Sequence, residues 1–189
     1  MPGKVFISCG QASEQEREVA KNVYDWFLKN EFDPYVAINA QTIQDVNSGI
    51  IGQLKASDYY VFIDFPREQL PSSGEVCHRG SLFTNQELAI AYFLDFREVI
   101  FLQHHAVRLE GLLQYMASNA IKFDDYSTVH KIVAKNVEER SWSPTYSRHL
   151  IPENPRLSKE TIGYRPLQGQ PLCGRFLYID IKNNRSDYN

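Results

Sequence analysis

Tyr59 to Phe65 (YYVFIDF) constrains this chain more than any other segment. A run so dense in aromatic and β-branched side chains reads as a strand. Lys4 to Ser8 (KVFIS) gives a second buried-strand signal, and Asp33 to Ile38, Glu98 to Gln103 and Ala120 to Asp124 give three more. Between them lie stretches with helical spacing. Ser13 with Glu16 three residues on is a capping-box pattern, opening a helix to about Asn30 with Val19, Ala20, Val23, Trp26 and Phe27 on one stripe. Further helices are expected from Thr42 or Gln44 to Ala56, Ser81 to Leu94, Leu109 to Ser118, and Asp125 or Ser127 to Arg140. Gly49 weakens the regularity of the first of these.

Strand and helix alternate five times. That order predicts an α/β fold of three layers, a five-stranded parallel sheet with helices on both faces. Right-handed crossovers restrict it to a doubly wound, flavodoxin-like topology, whose ligand site lies beyond the carboxyl ends of the strands. The loops after Ser8, Ile38, Phe65 and Gln103 therefore border the expected site.

Composition removes several function classes. The net charge of −3 with no long basic run gives nucleic acid no electrostatic footprint. No apolar stretch approaches the ~20 residues of a membrane span. The chain enters its first strand without a leader pattern, which makes the cytoplasm the expected compartment. Cys9, Cys77 and Cys173 are odd in number and far apart, and His104 and His105 are adjacent, so neither a disulfide framework nor a metal site is expected. The first strand ends Ser8-Cys9-Gly10 without a carboxylate, and Asp64 stands alone near a strand end, which argues against receiver-type phosphoacceptor chemistry. GxGxxG, GxxxxGK[ST] and GxSxG are absent.

One constellation remains. In Gly80-Ser81-Leu82-Phe83-Thr84-Asn85-Gln86-Glu87-Leu88-Ala89-Ile90-Ala91-Tyr92-Phe93-Leu94, the helix after Glu87 is apolar on almost every side, which predicts burial. Phe83, Glu87 and Ala91 share a stripe by four-residue spacing. A carboxylate entering an apolar segment must be partnered, solvated by a cleft, or raised in pKa, and a perturbed carboxylate in a cleft is a functional candidate. The competing reading is structural: Thr84-Asn85-Gln86-Glu87 also fits a capping box, with Thr84 as N-cap.

Ser81 to Glu87 resembles the S-x-W-C-x-x-E motif of TIR (Toll/interleukin-receptor) domains, with Phe83 for Trp and Thr84 for Cys. Val5-Phe6-Ile7-Ser8 is similar to that family's first strand, and Ile50 to Phe65, with Ser57-Asp58 before the strand, to its I-x-x-S-D stretch. The missing Trp-Cys pair and the Asp64-Phe65-Pro66-Arg67 strand end depart from the pattern. Catalytic TIR domains cleave NAD⁺ between nicotinamide and ribose with this Glu. The resemblance therefore implies an NAD⁺ glycohydrolase of signalling or defence. Glu87 would be catalytic. Phe83 would wall the site or else be a core aromatic, and Ser8 and Gly10, at the ligand end of the first strand, would bring their backbone to the nucleotide or else only form a tight strand-to-helix turn. NAD⁺ would enter as substrate, with no separate cofactor and no metal, and the domain would self-associate through TIR-like surfaces. Asn39 to Ile43 takes the place of the family's assembly loop, without its Pro or Gly. Two other readings stand beside it: a non-enzymatic TIR-like interaction module in which Glu87 only caps, and a nucleoside deoxyribosyltransferase-like enzyme with a nucleophilic Glu on a comparable helix.

From Ser141 the composition changes. Pro144, Pro152, Pro155, Pro166 and Pro171 interrupt any helix, and Arg175 to Lys182 (RFLYIDIK) alternates like a strand. Residues 1–140 are thus the TIR-like domain. Residues 141–189 are a Pro-rich extension ending in a strand, which either pairs on the sheet edge or, as favoured here, begins a second domain that is cut short.

Overall fold

A computed structural model describes residues 2–37, 46–71, 76–159, 161–164 and 172–183. The first unit, Met1–Ser147, holds five parallel strands: β1 (Lys4–Cys9), β2 (Asp33–Val36), β3 (Tyr59–Asp64), β4 (Val99–His104) and β5 (Ile121–Phe123). Their order is β2-β1-β3-β4-β5, the flavodoxin-like arrangement. The helices are α1 (Glu14–Lys29), α2 (Gly52–Ala56), α3 (Leu82–Phe93), α4 (Leu113–Met116) and α5 (Val129–Glu139). The expected three-layer α/β class is the observed one, with element ends shifted by one to a few residues. The helix expected from Thr42 or Gln44 starts outside the described residues. Its described part opens as a π-helical turn over Val46–Ile51, with Gly49 inside, before α2. Ile38 and the loop Asn39 to Ile43 also lie outside the described residues.

Strand alternation divides the core. Val5, Ile7 and Cys9 of β1 and Tyr59, Val61 and Ile63 of β3 face α1 and α5, where Val19, Val23, Phe27, Val129 and Val133 meet them. Phe6 of β1 and Tyr60 and Phe62 of β3 face the other way, against Leu54, Leu88 and Ala91. By the same parity Ser8 and Asp64, each two residues further along its strand, lie on the α3 side. Both are fully buried. Polar groups thus replace apolar ones where two adjacent strands end.

Helix α1 begins as expected, with one variation. Ser13 Oγ accepts the Glu16 N–H at 3.2 Å, while the Glu16 carboxylate accepts from Ala12 N–H at 2.9 Å, one residue ahead of the cap. Its buried stripe contains Val19, Ala20, Val23 and Phe27; Trp26 packs only at the margin. Helix α3 departs from expectation. Thr84, Glu87, Leu88 and Ala91 form its buried stripe, whereas Leu82, Phe83, Tyr92 and Phe93 are exposed. A helix laid on one sheet face buries only the stripe turned to that sheet, and no described residue covers the opposite stripe.

The first unit extends past residue 140. Trp142 stacks on Tyr59 with ring centroids 4.4 Å apart and donates from Nε1 to Glu98 at 2.8 Å. The Tyr59 hydroxyl donates to Ser143 O at 2.9 Å and accepts Ser143 N–H at 3.0 Å. The second unit, Arg148–Asn189, contains β6 (Leu150–Leu157), β7 (Ile162–Tyr164), β8 (Leu172–Gly174) and β9 (Leu177–Asn183). β6 pairs antiparallel with β9, and β7 with β8. The strand read over Arg175 to Lys182 is therefore present as β9, and its partner is β6 rather than the parallel sheet. An Arg156–Asp180 ion pair of 2.7 Å crosses β6 and β9.

Because Trp142 fills the space between Phe27 and Tyr59, Trp142→Ala should lower unfolding free energy by about 3 kcal/mol in urea denaturation. An unchanged midpoint would show that residues 141–147 only lie on the core.

Candidate functional site

The strand order reverses between β1 and β3, since β1 leads out to β2 on one side and β3 to β4 on the other. Loops diverge there and leave a crevice. A cavity of about 410 Å³ occupies it, lined by residues that include Gly10, Gln11, Arg67, Ser81, Phe83 and Glu87. That volume falls within the ordinary range for small-molecule sites.

Glu87 is buried, only 7% exposed, and lines this cavity. Ser8 Oγ donates to Glu87 Oε2 at 2.5 Å, tying the end of β1 to the middle of α3. Burial lifts the Glu87 carboxyl from 4.5 to about 7, and the Ser8 bond offsets only part of that rise. Near neutrality the group is therefore divided between acid and carboxylate. Burial and the Glu87 charge also push the Tyr60 and Tyr35 phenols up, so both stay neutral.

The capping-box reading of Glu87 is corrected. Ser81, not Thr84, is the N-cap residue, and it makes no side-chain cap bond. Thr84 lies inside the helix, with its hydroxyl directed to Ser81 O at 3.0 Å. Glu87 is more than a turn into α3, too far along for its side chain to reach the N-cap N–H, and it bonds Ser8 instead.

Asp64 takes over the capping role from the end of β3, beneath α3. Its Oδ1 accepts the Ser81 N–H at 3.1 Å and faces the Thr84 hydroxyl at 3.5 Å. A carboxylate at a helix N-terminus meets unpaired N–H groups and the positive end of the dipole. Gly80 makes this approach possible, since a Cβ there would overlap the Asp64 carboxyl group. Burial nonetheless lifts Asp64 to about 6, against the lowering effects of the Ser81 N–H and the Arg67 charge. Its Oδ2 has no hydrogen-bond partner among the described residues.

The structure places the remaining sequence candidates as follows. Ser8 is buried behind the carboxyl and acts on Glu87 rather than forming the cavity wall. Gly10 lines the cavity, and the space its missing Cβ leaves is taken by the Arg67 guanidinium. Phe83 lies at the cavity wall with Glu87, one turn earlier on α3, but is 62% exposed where Glu87 is buried. Cys9 is a buried free thiol that burial pushes far up, so it is no nucleophile.

Sequence reading missed three participants: Asp64 as a cap, and the pair Glu16 and Arg67. Arg67 grips both Glu16 oxygens, at 2.6 and 2.5 Å, beside Gly10. The parity of Asp64 with Tyr60 and Phe62 was the available signal for the first. Nothing local signals a pair 51 residues apart.

No family model and no curated protein matches the chain. Among solved structures, a CMP N-glycosidase from Clostridium botulinum aligns with a TM-score of 0.47 at 12% identity, covering 69% of this chain and 98% of that one. A 2-deoxyribosyltransferase from Bacillus psychrosaccharolyticus aligns with a TM-score of 0.42 at 11% identity, covering 68% and 90%.

The raised carboxyl predicts a pH signature. Glu87 binds its proton more tightly folded than unfolded, so it contributes most below about 4.5. That contribution is lost as pH rises through about 7. Glu87→Gln should thus stabilise the fold at pH 8 by up to about 3 kcal/mol, and much less at pH 4.5. Equal effects at both pH values in denaturant titrations would contradict the burial argument.

Proposed function

We propose that this protein cleaves the bond between base and sugar in a nucleoside-type substrate, with Glu87 attacking or stabilising the anomeric carbon. The observation that carries the reading is Glu87 itself: a carboxyl lining a cavity, with Ser8 as its hydrogen-bond partner and a pKa near 7. Perturbed carboxyls in clefts are the groups that acid–base and nucleophilic catalysis use.

The chemistry follows from the geometry. Ser8 fixes Oε2, so the carboxyl is oriented before substrate arrives. As the carbon–nitrogen bond lengthens, its electron pair leaves with the base and the sugar becomes oxocarbenium-like. A largely buried carboxylate stabilises that charge or closes on it as an ester. Water then attacks the same carbon, delivering hydroxyl to the sugar, and its proton balances the departed base. Phe83 gives a base an aromatic wall. Asp64 is a positioning residue here: it holds the first turn of α3 and so the height of Glu87 above the sheet.

The TIR resemblance implies NAD⁺ as the substrate, and the bond in question is of the same kind. The interaction-module reading assigned Glu87 a cap that is not made.

A panel of purine and pyrimidine ribonucleosides and deoxyribonucleosides, their 5′-monophosphates and NAD⁺, read by chromatography of the released base, tests the proposal. Activity is expected on at least one, falling by 10³-fold or more in Glu87→Ala and Glu87→Gln, on the order seen for lost nucleophiles. Because the ionised form reacts, kcat/KM should rise as pH passes through about 7. Release that survives both substitutions, or the absence of release from every substrate, would refute the assignment.

A further inference from the structure

Within that reading, which this inference presupposes, we infer that the site is built for an unphosphorylated nucleoside and discriminates against 5′-phosphates and the pyrophosphate of a dinucleotide. The argument is electrostatic and rests on the Glu16–Arg67 pair.

In a flavodoxin-like sheet the turn from β1 into α1 is the natural anion seat, because free N–H groups and the helix dipole converge there. Here the chain's own carboxylate occupies it. Glu16 takes the Ala12 N–H at 2.9 Å and both arms of the Arg67 guanidinium. Gly10, beside the fork, has no room for even a Cβ. Glu16 is 4% exposed, so the pair is largely withdrawn from solvent. A phosphate would have to displace a bidentate, mostly buried ion pair, which is costly.

The second cation in the cavity wall is also engaged. Arg79 donates to Glu68 at 3.1 Å and to Glu110 at 3.2 Å. Arg67 and Arg79 in the wall, with Arg108 beside Glu110 in the adjoining hollow, are thus offset by Glu16, Glu68 and Glu110, and Glu87 and Asp64 add negative charge whenever they ionise. Arg17, on the exposed side of α1, donates to Gln11 O and does not line the cavity. The two internal stretches of the first unit outside the described residues, 38–45 and 72–75, contain no lysine or arginine. The local field therefore opposes a dianion and accepts a neutral ligand.

The test compares kcat/KM for a nucleoside with that for its own 5′-monophosphate, in the parent and in Glu16→Gln, at low and high ionic strength. The parent should prefer the nucleoside by about tenfold or more. That preference should shrink as salt screens the repulsion. It should shrink further, or invert, in Glu16→Gln, which keeps an acceptor for Ala12 N–H while releasing the Arg67 charge. If Glu16→Gln fails to fold, the salt series on the parent decides alone. Equal or better use of the monophosphate by the parent, or a preference that salt leaves unchanged, would overturn the charge argument while leaving base release intact. Release of base from neither substrate form anywhere in the panel would instead remove the function on which this inference stands.

Discussion

The contact on which the site depends is the hydrogen bond from Ser81 N–H to the buried Asp64 carboxyl, made possible by the absence of a side chain at Gly80. Helix α3 makes no side-chain cap of its own at Ser81. Its first turn is held by a group on the neighbouring strand, so the helix is fixed to the sheet rather than to its own loop. Glu87 follows from that anchor by helical geometry, less than two turns further along. Ser8 completes the constraint from β1. Two adjacent strand ends thus determine where one carboxyl sits, and the strand reversal between them supplies the cavity it faces.

Placing Asp64 and Glu87 in the interior has an energetic consequence. Both are lifted by burial, so each is held partly protonated near neutrality at the expense of its ionised form. Among the described residues neither is gripped by a cation as Glu16 is by Arg67, although the Arg67 charge also acts on Asp64. A site selected for stability alone would pair such groups or replace them with apolar ones. Glu16 is held by both arms of Arg67, which lines the cavity, whereas Glu87, in the cavity wall itself, is held by the neutral Ser8 hydroxyl.

The fold was legible because each strand carries a dense apolar run and each main helix a clear stripe; Tyr59 to Phe65 and Val19 to Phe27 decide the layers almost alone. The burial of Glu87 was legible as a charge in an apolar stretch. Its partner was not, because the contact with Ser8 spans 79 residues and depends on which face of β1 the serine takes. The exposure of Tyr92 and Phe93 was misread because an all-apolar helix normally implies covering on all sides, and composition cannot show that the outer stripe stays open. The Thr84 cap failed for a related reason. Capping boxes are local patterns, and here a tertiary carboxylate, Asp64, reaches the N-terminus first.

The most direct test of the account is the titration of the Glu87 side chain itself, followed by carbon NMR of δ-labelled glutamate and assigned by its disappearance in Glu87→Gln. The account predicts a midpoint near 7, moving higher in Ser8→Ala as the hydrogen bond that favours the carboxylate is lost. A midpoint at or below the ordinary 4.5 would show an ordinary ionised carboxylate at this position and contradict the central claim.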